Sequence, residues 1–174
     1  MQPKDGVIVR SEGTDDSEER LVIHSINEAA FGGQEEAELV DKLRAEGLVL
    51  VSLVAETPEQ IVGHILFSRM SIETSSGSVP AVALAPMAVL PKHQRRGIGG
   101  RLIRHGLNLL REQGEQIVIV VRHPEYYPRF GFSSEKTLCL ESPFPHEAFM
   151  ALELTPGALD GVRGRVSYPA AFGI

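Results

Sequence analysis

Residues 79–121 read VPAVALAPMAVL, then PKHQRRGIGGRLIRHGLNLLREQGE, then QIVIVV. An apolar run gives way to a turn rich in glycine and arginine, then to an amphipathic segment, then to a second apolar run. Ile98, Leu102, Ile103, Leu109 and Leu110 recur at helical spacing, and Gly114 supplies a C-terminal stop. QIVIVV has the length of a strand and no polar alternation, as expected of a central strand covered on both faces. A strand, a helix and a further strand in this order form a crossover, and a crossover joins parallel strands.

The rest of the chain adds pieces of another kind. DGVIVRSE reads as a strand, and the acid-led DDSEERLVIHSINEAAF and EEAELVDKLRAEG read as two helices. LVLVSLVAE and QIVGHILFSRMSIE are strands separated by TPEQ, a turn marked by Pro58. Strand-like stretches follow around Ser133–Leu140, Phe149–Leu154 and Val162–Tyr168. An antiparallel meander combined with one crossover predicts an α+β chain with a mixed, mostly antiparallel sheet and helices packed on it. At 174 residues, with no repeat or linker, a single domain over 1–174 is expected. Residues from about 136 onward would supply C-terminal strands of the same sheet and the wall on the substrate side.

Charge narrows the function. The net charge of −6 argues against a general nucleic-acid or anionic-membrane binder. The charge is unevenly spread: residues 92–111 hold six Lys or Arg and no acid, whereas residues 11–59 hold thirteen acids against three bases. No apolar run is long enough to span a bilayer, and the acid-rich N-terminal stretch lacks the apolar core of a secretory signal. The lone cysteine, Cys139, excludes an internal disulfide, fits a reducing cytoplasm, and is expected to be buried within a strand. The six histidines show no metal-ligand spacing, so no metal is expected.

The cationic turn lies where a strand becomes a helix. A helix N-terminus exposes unpaired N–H groups and partial positive charge, glycines let an anion approach the backbone, and Arg95, Arg96 and Arg101 flank Gly97, Gly99 and Gly100. This is the chemistry of a diphosphate cradle. A turn whose glycines serve packing alone is the competing reading. Neither the P-loop pattern nor the G-x-G-x-x-G fingerprint is present.

QRRGIG at 94–99 resembles the Q/R-x-x-G-x-G/A motif of the GNAT superfamily of N-acetyltransferases, and YYPRFGF at 126–132 is similar to its FYxxxGF signature. The two occur in the family's order, separated by a helix and a buried strand. GGQEEAELVDKLR, VGHILFSRM, RHPEYYPRFGF and EAFMALELTPGALDGV extend the likeness over most of the chain, toward the YhbS-like group of predicted N-acetyltransferases.

The resemblance implies the GNAT fold, with the sheet splayed at an acetyl-CoA slot, and transfer of acetyl from acetyl-CoA to a primary amine. It implies that Gln94, Arg95, Arg96, Gly97, Ile98, Gly99 and Gly100 hold the diphosphate. The pantetheine arm would run along Met87, Ala88 and Val89. Pro86 cannot donate to a ladder, so it marks an edge or bulge there. The Met87 N–H would face the thioester oxygen, and Tyr127 would be the general acid and touch the cofactor. Tyr126 is expected to pack. Glu35, Glu36, His64 and water stand as alternatives for the base, and His123 is placed to support the tyrosine turn. A non-catalytic CoA or acyl-CoA sensor, or use of another acyl-CoA, is the alternative function. Both a monomer and a homodimer fit.

Overall fold

The structure, a computed structural model, describes residues 5–174; the first four residues of the expected domain lie outside them. Its strands are β1 (Ile8–Ser11), β2 (Val49–Glu56), β3 (Ile61–Thr74), β4 (Gly77–Val89), β5 (Ile117–Val121), β6 (Leu140–Glu141), β7 (Phe149–Glu153) and β8 (Gly164–Ser167). Its helices are α1 (Ser17–Phe31), α2 (Glu35–Ala45) and α3 (Ile98–Glu112). Among the described residues these eight strands form one open mixed sheet in the order β1-β2-β3-β4-β5-β7, with β8 pairing to both β3 and β6. The chain divides into two compact units, one of residues up to Phe67 with Ala85–Gly106, the other of Ser68–Leu84 with Leu107–Ile174.

In the first unit, β1 runs antiparallel to β2 from Ile8↔Glu56 to Ser11↔Leu53. The start of α1 is set by Asp16, whose carboxylate accepts from the Glu19 N–H at 3.0 Å. Its end is set by Gly32 at φ 74°, whose N–H reaches the Glu28 carbonyl. Glu19 does not complete a capping box. Its carboxylate instead takes the Gly13 N–H at 2.8 Å and pairs with Arg10, tying the β1–α1 turn together.

Adjacent residues of β3 show that helices cover both faces here. A Cβ on Gly63 would meet Leu102 of α3, while the next side chain, His64, reaches Asn27 of α1; successive strand residues point to opposite faces. The apolar face of α3 expected from the sequence is buried at Ile98, Leu102, Ile103 and Leu110.

In the second unit, β4 and β5 pair in parallel at Val82↔Val118 and Ala83↔Ile119, so the crossover read from the sequence is present. β5 then runs antiparallel to β7 along its whole length, from Ile117↔Glu153 to Val121↔Phe149. Met70, Ile72, Ala83, Ile119, Phe149 and Ala151 form the centre of this unit's core. Arg69 and Glu115 make a two-pronged ion pair beside it.

Two expectations fail in this unit. Ser133–Leu140 is not a strand: an isolated bridge at Ser133 leads into a 3₁₀ turn at Glu135–Thr137, and only Leu140 and Glu141 are extended. The turn wins because the buried Thr137 hydroxyl is shared between the Ser134 and Phe149 carbonyls, a side-chain anchor that competes with a ladder. Cys139 consequently sits in a turn and is exposed, not buried in a strand.

Candidate active site

The segment leaving β4 carries the first group of candidate residues. β4 continues as extended chain through Pro86, and the Ala85–Pro86 peptide is cis. Its parallel register with β5 comprises Val82 and Ala83, while the strand itself runs on to Val89. Met87 is half-buried and Ala88 and Val89 are buried. The Gln94 side chain folds back and donates to the Val89 carbonyl at 2.9 Å, clamping the strand's end to the turn that follows.

That turn has an alternating backbone. Arg95 lies at φ 63° and Gly97 at φ 80°, with Arg96 between them outside the positive-φ region, and α3 begins at Ile98. A non-glycine residue at positive φ is uncommon and costs about 1–2 kcal/mol, so Arg95 is held there by its surroundings. Backbone that alternates in hand turns successive N–H groups toward one side and forms an anion-binding concavity. Among the described residues, none of the N–H groups from Arg95 to Gly100 has a protein acceptor, whereas the Arg101 N–H bonds to the Gly97 carbonyl and opens the helical ladder. Arg95 and Arg96 are exposed beside these donors.

Arg101, which the sequence groups with them, does something else. Its guanidinium is tied to the Asp5 carboxylate at 3.2 Å and to the Val7 carbonyl, bracing the first turn of α3 against the start of β1. Nothing in the residue pattern signals this brace, which joins positions far apart in the chain.

The tyrosine turn belongs to the second unit. Tyr127 opens a 3₁₀ turn over Tyr127–Phe130, closed by Gly131 at φ 99°. Its ring is buried edge-on between Tyr126, at 5.2 Å between centroids, and Phe132, at 5.7 Å. Burial, and to a lesser degree the neighbouring Tyr126, push its phenol well above the ordinary value. Among the described residues its hydroxyl has no hydrogen-bond partner. Tyr126 packs as expected, edge-on to Phe130 and beneath the Arg129 guanidinium, which lies 4.7 Å from its ring centre. His123 supports the turn with its backbone: its carbonyl accepts the N–H groups of Tyr126 and Tyr127.

His64 is fully buried. The Asn27 amide donates to the Ile23 carbonyl, which fixes its orientation, and presents the same nitrogen to His64 Nδ1 at 3.4 Å; His64 Nε2 therefore carries the proton toward Ser52 Oγ at 3.0 Å. Burial and then the Arg44 charge lower the imidazole pKa to about 3. A ring so held is a poor proton acceptor at neutral pH. Glu35 and Glu36 stand in the first turn of α2, where carboxylates complement the helix end.

The family is decided by comparison with known proteins. The family model of the acetyltransferase (GNAT) domain matches residues 14–134. The chain belongs to the GNAT acetyltransferase family. It is 40% identical over 130 residues to the uncharacterized N-acetyltransferase YjhQ of Escherichia coli K12, covering 72% of each chain. It is 33% identical over 153 residues to the uncharacterized N-acetyltransferase YhbS of the same organism, covering 86% of this chain and 90% of that one. The crystal structure of E. coli YhbS in complex with CoA superposes with a TM-score of 0.88 at 30% identity, over all of this chain and 96% of that one. A GNAT family acetyltransferase from Brucella melitensis in complex with acetyl-CoA gives 0.79 at 35% identity, over 97% and 99% of the two chains. Among the described residues no helix is long and apolar enough to cross a membrane, and no group of His, Cys, Asp or Glu is arranged to hold a metal ion.

Proposed function

We propose that this GNAT acetyltransferase uses acetyl-CoA as its donor and acetylates a primary amine by direct attack on the thioester. The observation that carries the reading is the run of six main-chain N–H groups, Arg95 to Gly100, at the start of α3, without acceptors among the described residues. Donors fixed at a helix N-terminus suit the diphosphate of CoA, and the exposed guanidinium groups of Arg95 and Arg96 add charge. The solved relatives bound to CoA and acetyl-CoA support the same donor.

In this reading Gln94, Arg95, Arg96, Gly97, Ile98, Gly99 and Gly100 hold the diphosphate, and Met87, Ala88 and Val89 lie along the pantetheine arm. The Met87 N–H stabilises negative charge developing on the thioester oxygen, an interaction worth about 2.7–4 kcal/mol where such a donor has been removed. The amine nitrogen bonds to the acetyl carbon, the carbon–sulfur bond breaks, and the departing thiolate takes the Tyr127 proton. The proton released by the amine leaves through water or through Glu35 or Glu36. The raised Tyr127 pKa keeps the phenol protonated before each turnover.

The test is to incubate the protein with acetyl-CoA and a panel of amines, covering polyamines, aminoglycosides, amino-acid derivatives and peptides, while following free thiol. Release that depends on a particular amine, with the acetylated amine identified by mass, is the expected result. CoA binding by calorimetry without release on any amine would reassign the chain to a CoA sensor.

A further inference from the structure

Between β5 and the tyrosine turn the backbone does something its residues do not favour. Arg122 lies at φ 81° and His123 at φ 52°, two successive non-glycine residues in the left-handed region. Such conformations are sparsely populated and persist only where the surrounding structure imposes them. The second departs twice over, because His123 precedes Pro124, and a residue before proline is driven to extended backbone at negative φ.

Both residues are exposed, although the His123 ring stands tilted toward that of Tyr127, 6.4 Å between centroids. Their main chains are engaged. The Arg122 N–H donates to the Ala148 carbonyl at 2.8 Å, one step beyond the last register pair of β5 and β7, Val121↔Phe149. The His123 carbonyl then receives the Tyr126 N–H at 2.9 Å and the Tyr127 N–H at 3.3 Å. The sheet therefore fixes Arg122, the left-handed pair reverses the chain, and the reversed carbonyl holds the two tyrosine amides. On the far side Gly131, at φ 99°, closes the turn by donating its N–H to the Pro128 carbonyl.

We infer that Arg122 and His123 are positioning residues for Tyr127: their left-handed backbone sets where the phenol stands. This rests on the acid role proposed for Tyr127. Because local strain of this kind is retained where a site needs a fixed geometry, relieving it should relax the tyrosine without unfolding the chain. Glycine adopts positive φ freely and broadens the conformations available; asparagine tolerates the left-handed region yet restricts it.

The experiment compares Arg122→Gly, Arg122→Asn and the wild type by three measurements: thermal midpoint, amide hydrogen exchange at Tyr126 and Tyr127, and steady-state kinetics on whichever amine supports thiol release. In Arg122→Gly the midpoint should hold or rise, exchange at both tyrosine amides should quicken at least tenfold, and kcat should fall at least tenfold with KM for acetyl-CoA within twofold. Arg122→Asn should keep wild-type exchange and kcat. A merely structural role predicts no loss of kcat where stability is preserved. The inference is overturned if Arg122→Gly exchanges at the wild-type rate, if it exchanges faster with unchanged kcat, or if it unfolds. Should the wild type release no thiol with any amine, the transferase reading falls by itself. The exchange comparison then decides the positioning: quickened exchange in the glycine variant upholds it and unchanged exchange refutes it.

Discussion

Gly106 on α3 lies against the ring of Phe67 on β3 so closely that a Cβ at that position would stand 2.2 Å from Cε2 and 2.7 Å from Cζ. Two effects oppose each other at this glycine. Alanine in a helix interior is favoured over glycine by about 0.8–1.0 kcal/mol. Forcing a methyl group into a filled core typically costs about 1–3 kcal/mol, and here the fully buried Phe67 ring has little room to yield. The clash wins. Gly106→Ala should lower the stability read from denaturant unfolding by up to about 2 kcal/mol, the clash less the propensity gain. A variant as stable as the parent, or more so, would show that the helix and the strand slide apart at little cost.

Gly97 presents the opposite case. It lies at φ 80°, and a Cβ added there would have no neighbour within 4 Å, so space is free and only the backbone resists a side chain. Alanine held left-handed costs about 1–2 kcal/mol, and the turn can shed that cost by leaving the conformation that aims its N–H groups. Since 1.4 kcal/mol is tenfold in affinity, Gly97→Ala should weaken CoA binding about tenfold with little change in thermal midpoint. Calorimetric titration reads this directly. Unaltered affinity would remove the alternating turn from the binding of CoA.

Tyr127→Phe separates chemistry from binding. The ring keeps its edge-on neighbours Tyr126 and Phe132, and the lost hydroxyl has no hydrogen-bond partner among the described residues, so stability should stay within about 1 kcal/mol. Loss of a positioned general acid typically costs about 10²–10⁴ in rate. A drop of kcat in that range, with the CoA dissociation constant within twofold, is the expected outcome. Wild-type turnover in the phenylalanine variant would assign the proton on the thiol to another source.

The parts of this molecule that could be read from sequence are those where neighbouring residues set the structure. Asp16 and Gly32 bound α1 through their own hydrogen bonds, and the apolar periodicity of α3 beside the continuous run of β5 gives the parallel crossover. Gly97 is legible as a turn glycine between strand and helix, where it lies at φ 80°, while the sequence leaves open the choice between an anion cradle and a packing turn. What stayed hidden depends on distant partners. Arg95 and Arg122 carry no residue-type signal for positive φ, and at His123 the following Pro124 argues against it. The brace from Arg101 to Asp5 and Val7 joins opposite ends of the first unit. Thr137 reads as one residue of a β-prone stretch, and only the Phe149 carbonyl, twelve positions on, turns that stretch into a 3₁₀ segment.

The buried histidine makes a prediction about acid. In the folded chain His64 titrates at about 3, because burial and the Arg44 charge disfavour the imidazolium; in the unfolded chain it returns to about 6.5. Between those values the unfolded state binds one more proton than the folded state, so stability rises with pH across that window. The contribution is complete above about pH 6.5 and is lost as the pH falls toward 3. The slope approaches about 1.4 kcal/mol per pH unit for one proton. His64→Gln cannot titrate, and it keeps an amide donor for Ser52 Oγ. Urea denaturation between pH 4 and 7, a range of roughly the width the linkage requires, should therefore show a shallower fall in stability for the glutamine variant than for the wild type. Parallel curves would mean that the buried ring takes up its proton without opening the Asn27–His64–Ser52 network.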